Sequence, residues 1–194
     1  MKNVIFCNQK GGTGKSTCCA EFVLSLRRSG IAVNFYDLDQ QGGTILEPSE
    51  EPGAEVSAID TPGALTDELP GLIHESDVIC IPVRPSALEI DSLMVMLDAY
   101  ATNAKEEARL VIIVNQFTRW TSSKDFLAWL KSETKGTGAV IVTMAQSETI
   151  LQAGAARMSV IDFAPRSAAA ASALGVVNAI RKAAGIRVEK QGKE

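Results

Sequence analysis

The chain has 194 residues, 46% of them hydrophobic and 22% charged, and a formal net charge of -4. Those proportions exclude a disordered or low-complexity chain and a protein that is basic all over, and the length suits one domain with a sizeable core. No apolar run approaches the roughly 20 residues that span a bilayer, and the N-terminus lacks the layout of a signal peptide, so a cytoplasmic protein is expected.

Six short apolar runs read as strands: "NVIFCN" (3–8), "AVNFYDLD" (32–39), "EVSAID" (55–60), "DVICIPV" (77–83), "RLVIIVN" (109–115) and "AVIVTM" (139–144). Most are continuously apolar, as strands buried on both faces of a parallel sheet must be. Helical stretches fall between and after them, at 15–29, 65–75, 86–102, 122–133, 147–155 and 167–184. This alternation predicts a doubly wound α/β fold, a mostly parallel sheet with helices on both faces and right-handed crossovers. "EPSEEPG" (47–53) reads as a polar turn, residues 1–188 as a single domain, and 189–194 as a disordered tail. Ligands of such sheets sit beyond the carboxyl ends of the strands, so those ends are where chemistry is sought.

The first strand runs into "NQKGGTGKST" (8–17). Gly11, Gly12 and Gly14 let backbone N–H groups close on phosphate oxygens, with Thr13 between them, and the helix starting at Lys15 adds its positive dipole end. Lys15 can reach β- and γ-phosphates, Ser16 can ligate Mg²⁺, and Thr17 follows in the first turn. The segment departs from the usual G-x-x-x-x-G-K-[ST] pattern twice, because Gln9 stands where the first glycine belongs and a second lysine, Lys10, precedes the glycines. The second strand ends in "YDLDQQGG", where Asp37 and Asp39 share one side of an extended chain and can serve an outer Mg²⁺ shell and an attacking water. The third ends in "AIDTPG", where Asp60 suits a Mg²⁺ ligand acting through water and Thr61-Pro62-Gly63 a segment that responds to the γ-phosphate.

Two features carry less. Cys7, Cys18, Cys19 and Cys80 have no metal-ligand spacing and His74 alone could join them, so small buried hydrophobes and a surface histidine are expected. Charge is uneven: residues 150–194 hold seven Lys/Arg against three acids, while the rest holds twelve against twenty. Such a C-terminal quarter could meet a polyanion, or could simply be a solvated last helix.

Taken together these residues resemble the ParA/MinD family of P-loop ATPases with a deviant Walker A motif. That family's K-G-G-x-G-K-[ST] loop is matched from Lys10 to Ser16, "YDLDQQGG" is similar to its D-x-D-P-Q segment, "AIDTPG" to its Walker B end, and "ICIPVRPSALEIDSL" to the stretch that follows. Small plasmid-partition ParA proteins of the ParF kind are the nearest branch. Departures are Gln40 in place of a proline, the short spacing of Asp39 to Asp60, and "VTMAQ" where an Ile-Pro-Arg-like segment near the base is usual, which leaves contacts around Met144 to Gln146 open.

The resemblance implies ATP and Mg²⁺ as cofactors and a homodimer formed on ATP binding. Lys15 would serve the subunit's own nucleotide, Lys10 the partner's phosphates, and Asp39 the attacking water, with Asn115 in "IIVNQF" against adenine. It further implies slow ATP hydrolysis stimulated by a cargo-bound ParB-like activator, and non-specific DNA binding in the ATP state on the nucleoid. Arg166, Arg181, Lys182 and Arg187 are the candidate DNA contacts. Alternatives are a MinD-like membrane- or scaffold-bound positioner, through Val176, Val177, Ile180, Ala184 and Ile186, or a small-molecule ligase on the same fold. Stable membrane attachment is not expected, because that stripe lacks bulky anchors. The cargo is not written in the sequence.

Overall fold

The structure, a computed structural model, describes residues 1–39 and 44–187. Gln40 and the expected tail at 189–194 therefore lie outside the described residues.

Six strands form one parallel sheet: β1 (Lys2–Phe6), β2 (Val33–Asp37), β3 (Val56–Asp60), β4 (Val78–Val83), β5 (Arg109–Phe117) and β6 (Val140–Ala145), in the order β2-β3-β1-β4-β5-β6. Every pairing is parallel, with Phe6 opposite Asp60 on one side and Cys80 on the other. β1 thus lies between β3 and β4, where the winding direction changes, so the crevice beyond its carboxyl end is the expected ligand site.

The apolar runs alternate between two cores, as a period of two demands. Val4, Phe6, Val78, Cys80, Val111 and Ile113 pack under α1 (Lys15–Arg28) and α7 (Ala168–Ala184). Ile5, Ile79, Ile81, Leu110, Ile112 and Val114 pack under α2 (Leu69–Glu75), α3 (Ile90–Asn103) and α4 (Thr121–Glu133). Phe6 and Phe22 meet at 5.9 Å between ring centroids and are fully buried, contributing about 2 kcal/mol each by area. They pin the helix that starts at the glycine loop against the central strand.

The helices begin and end where local chemistry says they should. Ser147 caps α5 (Glu148–Ala155) and Ser167 caps α7, each hydroxyl accepting a backbone N–H. Gly185, at φ 71°, closes α7, and Arg181 and Lys182 occupy its last turn where the dipole favours cations. The apolar stripe of α7 is consumed in the core, since Val176, Val177, Ile180 and Ala184 are buried.

Three details differ from the sequence reading. The stretch 65–75 turns helical only from Leu69, and 86–102 begins with a 3₁₀ turn over Ala87–Glu89. A short helix, α6 (Val160–Phe163), was not expected; four residues carry no readable period. It is held from a distance, because Glu21 on α1 accepts the Ser159 hydroxyl and the Val160 N–H (2.8 Å). Between β2 and β3 the described residues contain no helix, as the short spacing implied. Ser49 instead makes an antiparallel bridge to Phe35 on the sheet edge.

Among the described residues no helix is long and apolar enough to cross a membrane.

Candidate functional site

The glycine loop opens directly from β1. Asn8 donates to the Pro82 carbonyl at 2.8 Å and accepts the Lys10 N–H at 3.1 Å, which fixes the start of the loop over β4. Gly12 and Gly14 have φ of 74° and 91°, a region that only glycine enters cheaply. Gly14 is also crowded: a Cβ there would stand 2.0 Å from Asn115 Nδ2. α1 starts on the next residue, so its unpaired N–H groups face the space the loop encloses.

That space is a cavity of about 390 Å³ lined by Gly11, Gly12, Gly14, Lys15, Ser16, Thr17, Asp39 and Pro62–Ala64. Residues from all three strand ends therefore converge. The third-strand loop closes tightly on the first, for a Cβ on Gly63 would lie 3.1 Å from Gly11 Cα and 3.4 Å from Lys15 Nζ. Thr61 ties it to β1 by donating N–H and hydroxyl to the Phe6 carbonyl at 3.2 and 3.1 Å.

Asp60 is wholly buried, and both its carboxylate oxygens lack a hydrogen-bond partner among the described residues. Burial pushes its carboxyl up to about 6, against the pull of neighbouring Ser16 and Lys15 and with the push of Asp37 and Asp39. An orphaned buried carboxylate requires an explanation, and a divalent cation held with the Ser16 hydroxyl fits this donor set. Asp37 is the register partner of Asp60 on β2. Its carboxylate accepts the Asp39 N–H at 2.9 Å. β2 stops at Asp37, Leu38 still donates to the Asp60 carbonyl at 2.9 Å, and Asp39 lines the cavity just beyond.

The two lysines stand apart. Lys15 is 6% exposed and lines the cavity. Lys10 keeps 34% of its side chain exposed; its ammonium donates to the Leu88 carbonyl at 2.8 Å and pairs with Glu89 at 3.2 Å. Gln9, in the place of the missing glycine, donates to the Ser92 carbonyl at 3.3 Å.

Asn115 has a role the sequence did not disclose. Its amide donates to the Thr13 carbonyl at 2.8 Å and its oxygen accepts the Gln116 N–H at 2.8 Å, so it buttresses the loop. The register of β5 against β6 shifts there, and Gln116 takes φ 53°. Met144 is buried in the core with its sulfur 3.8 Å from Cys18 Sγ, while Gln146 is exposed. The four cysteines are buried and free, and burial raises every thiol, Cys7 to about 12. His74 is an exposed contact to the Asn103 carbonyl.

The basic candidates divide. Arg181, Lys182 and Arg187 gather with Asn178 around a depression at the carboxyl end of α7, and burial lowers the Arg181 pKa. Arg166 is exposed at the opposite end of that helix, about 25 Å away at the usual rise per residue.

Comparison with known proteins agrees with this geometry. The chain resembles, over 98% of its length and 99% of theirs, a variant of Cyanothece McdA in complex with ATP, at TM-score 0.79 and 16% identity. MinD from Pyrococcus horikoshii OT3 with Mg-ADP matches at 0.70 and 14%, covering 95% of this chain and 98% of that one. pNOB8 ParA bound to nonspecific DNA matches at 0.64 and 14%, covering 93% and 99%. At these identities the likeness establishes the fold alone. A sequence search of curated proteins returns no match. The sequence profile of the CobQ/CobB/MinD/ParA nucleotide binding domain matches residues 4–160, and the chain belongs to that family.

Proposed function

We propose that this protein is an ATPase that dimerises on binding ATP, holds DNA without sequence preference in that state, and releases it when a cargo-bound, ParB-like partner stimulates hydrolysis, segregating a plasmid or chromosome. The reading rests above all on the buried, unpartnered Asp60 carboxylate beside a cavity lined by Lys15, Ser16 and Asp39. Lys15 and the loop N–H groups hold the phosphates of their own subunit. Ser16 and, through water, Asp60 would hold Mg²⁺, with Asp37 in the outer shell; when bound, the ion offsets charge on the β- and γ-phosphates. Asp39 orients the attacking water, and Lys10 reaches the phosphates of the second subunit, so turnover depends on dimerisation. Asn115 keeps one amide hydrogen and one oxygen lone pair for a base edge beyond its loop contacts.

Arg181, Lys182 and Arg187, with Arg166 at the far end of the helix, form the proposed DNA contacts, and a dimer doubles them. A protein of the same fold bound to nonspecific DNA supports DNA as the ligand. The membrane alternative is weakened because the apolar stripe of α7 is already packed inside the domain.

The test is fluorescence anisotropy of labelled random-sequence duplex DNA with ATP, with ADP and without nucleotide. Binding should appear only with ATP and weaken with salt, with a log–log slope of about -0.9 per phosphate neutralised. Absence of binding in every state, with the ATP dimer confirmed by sedimentation, would remove DNA as the track.

A further inference from the structure

We infer that Glu89 is a positioning residue for Lys10, holding it retracted on its own subunit until nucleotide and a second subunit compete for it; this rests on the cross-subunit role proposed above. Glu89 is 1% exposed at the end of the 3₁₀ turn. One of its oxygens, Oε1, receives Lys10 Nζ at 3.2 Å together with Arg84 Nε at 3.0 Å and Nη2 at 2.6 Å. The other, Oε2, has no partner among the described residues.

The acceptor pair for Lys10 is rigidly placed. Ser86 caps the turn by accepting the Leu88 N–H, and the Ser92 hydroxyl donates to the Glu89 carbonyl at 2.9 Å. Gln9 binds that same first turn of α3 through the Ser92 carbonyl at 3.3 Å, so the start of the glycine loop is tethered to the turn. Since Asn8 also fixes the Lys10 backbone, only the Lys10 side chain is left to change position.

The arrangement is breakable by design of its charges. A buried carboxylate stripped of its sole cation is strongly disfavoured. Here Arg84 keeps two N–H groups on Oε1 after Lys10 leaves, so the charge is never abandoned. Leu88, whose carbonyl is the second acceptor, projects its side chain into solvent at 81% exposure, which places an apolar contact beside the point from which Lys10 departs. Glu89 therefore opposes dimerisation in the absence of nucleotide phosphates strong enough to attract Lys10.

The experiment compares wild type, Glu89→Gln, Lys10→Ala, the double variant and Asp91→Asn, which removes the same charge from an exposed site on the same helix. Dimer dissociation constants with ATP are read by sedimentation, and Lys10 reactivity in nucleotide-free monomer by reductive methylation and mass spectrometry. Glu89→Gln should tighten the ATP dimer about tenfold and speed methylation of Lys10. Asp91→Asn should do neither, and Glu89→Gln should change nothing on the Lys10→Ala background. Unchanged Lys10 reactivity or dimer affinity in Glu89→Gln would overturn the inference, as would an effect that survives Lys10→Ala. Should Glu89→Gln not fold, the wild type still decides: Lys10 must react more slowly than exposed Lys124, and equal rates sink the idea. A wild type that never dimerises with ATP would defeat the cross-subunit reading, while faster Lys10 labelling in Glu89→Gln would still support the retracted position.

Discussion

The two ends of the glycine loop are built on opposite plans. The rear end, from Gly14 to Thr17, is locked: Gly14 has a backbone only glycine adopts easily, Asn115 presses on it from β5, and Lys15 is buried in the cavity wall. The front end, from Asn8 to Lys10, is tethered by side chains to the turn before α3, and its lysine is spent on Leu88 and Glu89. On the proposed reading, a group that binds in every state is best fixed once, whereas a group that serves another subunit has to be stored. Storage calls for a partner that can be exchanged, and a shared carboxylate oxygen supplies one.

The largest difference between the ends should appear in nucleotide affinity. Lys15→Ala removes a charged donor to phosphate, worth about 3 kcal/mol or upwards of a hundredfold in affinity. Lys10→Ala should stay within about threefold, because in the monomer its ammonium is held on Leu88 and Glu89 and does not line the cavity. Titration calorimetry with ATP and Mg²⁺ measures both. Equal losses would mean that the two lysines act on one nucleotide in one subunit.

Asp60 extends the same contrast to pH, since the rear of the site holds a charge it does not satisfy. Its carboxyl rises from an ordinary 3.8 to about 6 on folding, so the folded protein binds that proton more tightly than the unfolded chain. The resulting penalty is absent below pH 3.8, grows as pH rises through the interval, and is complete above about 6, reaching about 3 kcal/mol. Asp60→Asn cannot ionise. Without nucleotide or Mg²⁺, its stability relative to wild type should improve by about 2.5 kcal/mol between pH 4 and pH 8, read from paired urea titrations. A pH-independent difference would mean that this carboxylate is satisfied in solution. The same variant should lose Mg²⁺-dependent ATP affinity, so the residue that destabilises the empty protein is the one the site requires.

Within the loop itself, Gly14→Ala should cost about 2 kcal/mol from its left-handed φ and the clash with Asn115. Gly11→Ala meets nothing within 4 Å and should change stability by less than about 0.5 kcal/mol. Thermal melts of the two variants make the comparison direct, and comparable losses would count against a rear end held more tightly than the front.

What the sequence made legible follows the range of the forces involved. The six strands, the six longer helices and the convergence of three strand ends could be read because periodicity and glycine placement act over a few residues. Asn115 was read as a base contact, yet its amide holds the Thr13 carbonyl from 102 positions away, a partnership no local pattern encodes. Glu89 belongs to no sequence motif, yet it gathers Lys10 and Arg84, and α6 depends on Glu21 across 138 and 139 positions. Long-range polar pairing of this kind leaves no period behind it. Asp39, expected to share a side with Asp37, lines the cavity from two residues beyond the end of the strand.

A smaller effect than that of Gly14→Ala belongs to the residue that breaks the usual motif. Gln9 is absent from the residues with positive φ, so nothing in the backbone at this position asks for the glycine that other phosphate loops carry. Its side chain contributes one long, partly buried hydrogen bond to the Ser92 carbonyl. Gln9→Gly restores the common pattern and removes that bond, which should lower stability by about 1 kcal/mol once the added freedom of the unfolded chain is included. ATP affinity should hold within about threefold, because the lining of the cavity begins at Gly11 and the loop is fixed from the rear. A tenfold loss of affinity would mean that the tether to α3 shapes the whole loop, and the two ends would then have to be treated as one.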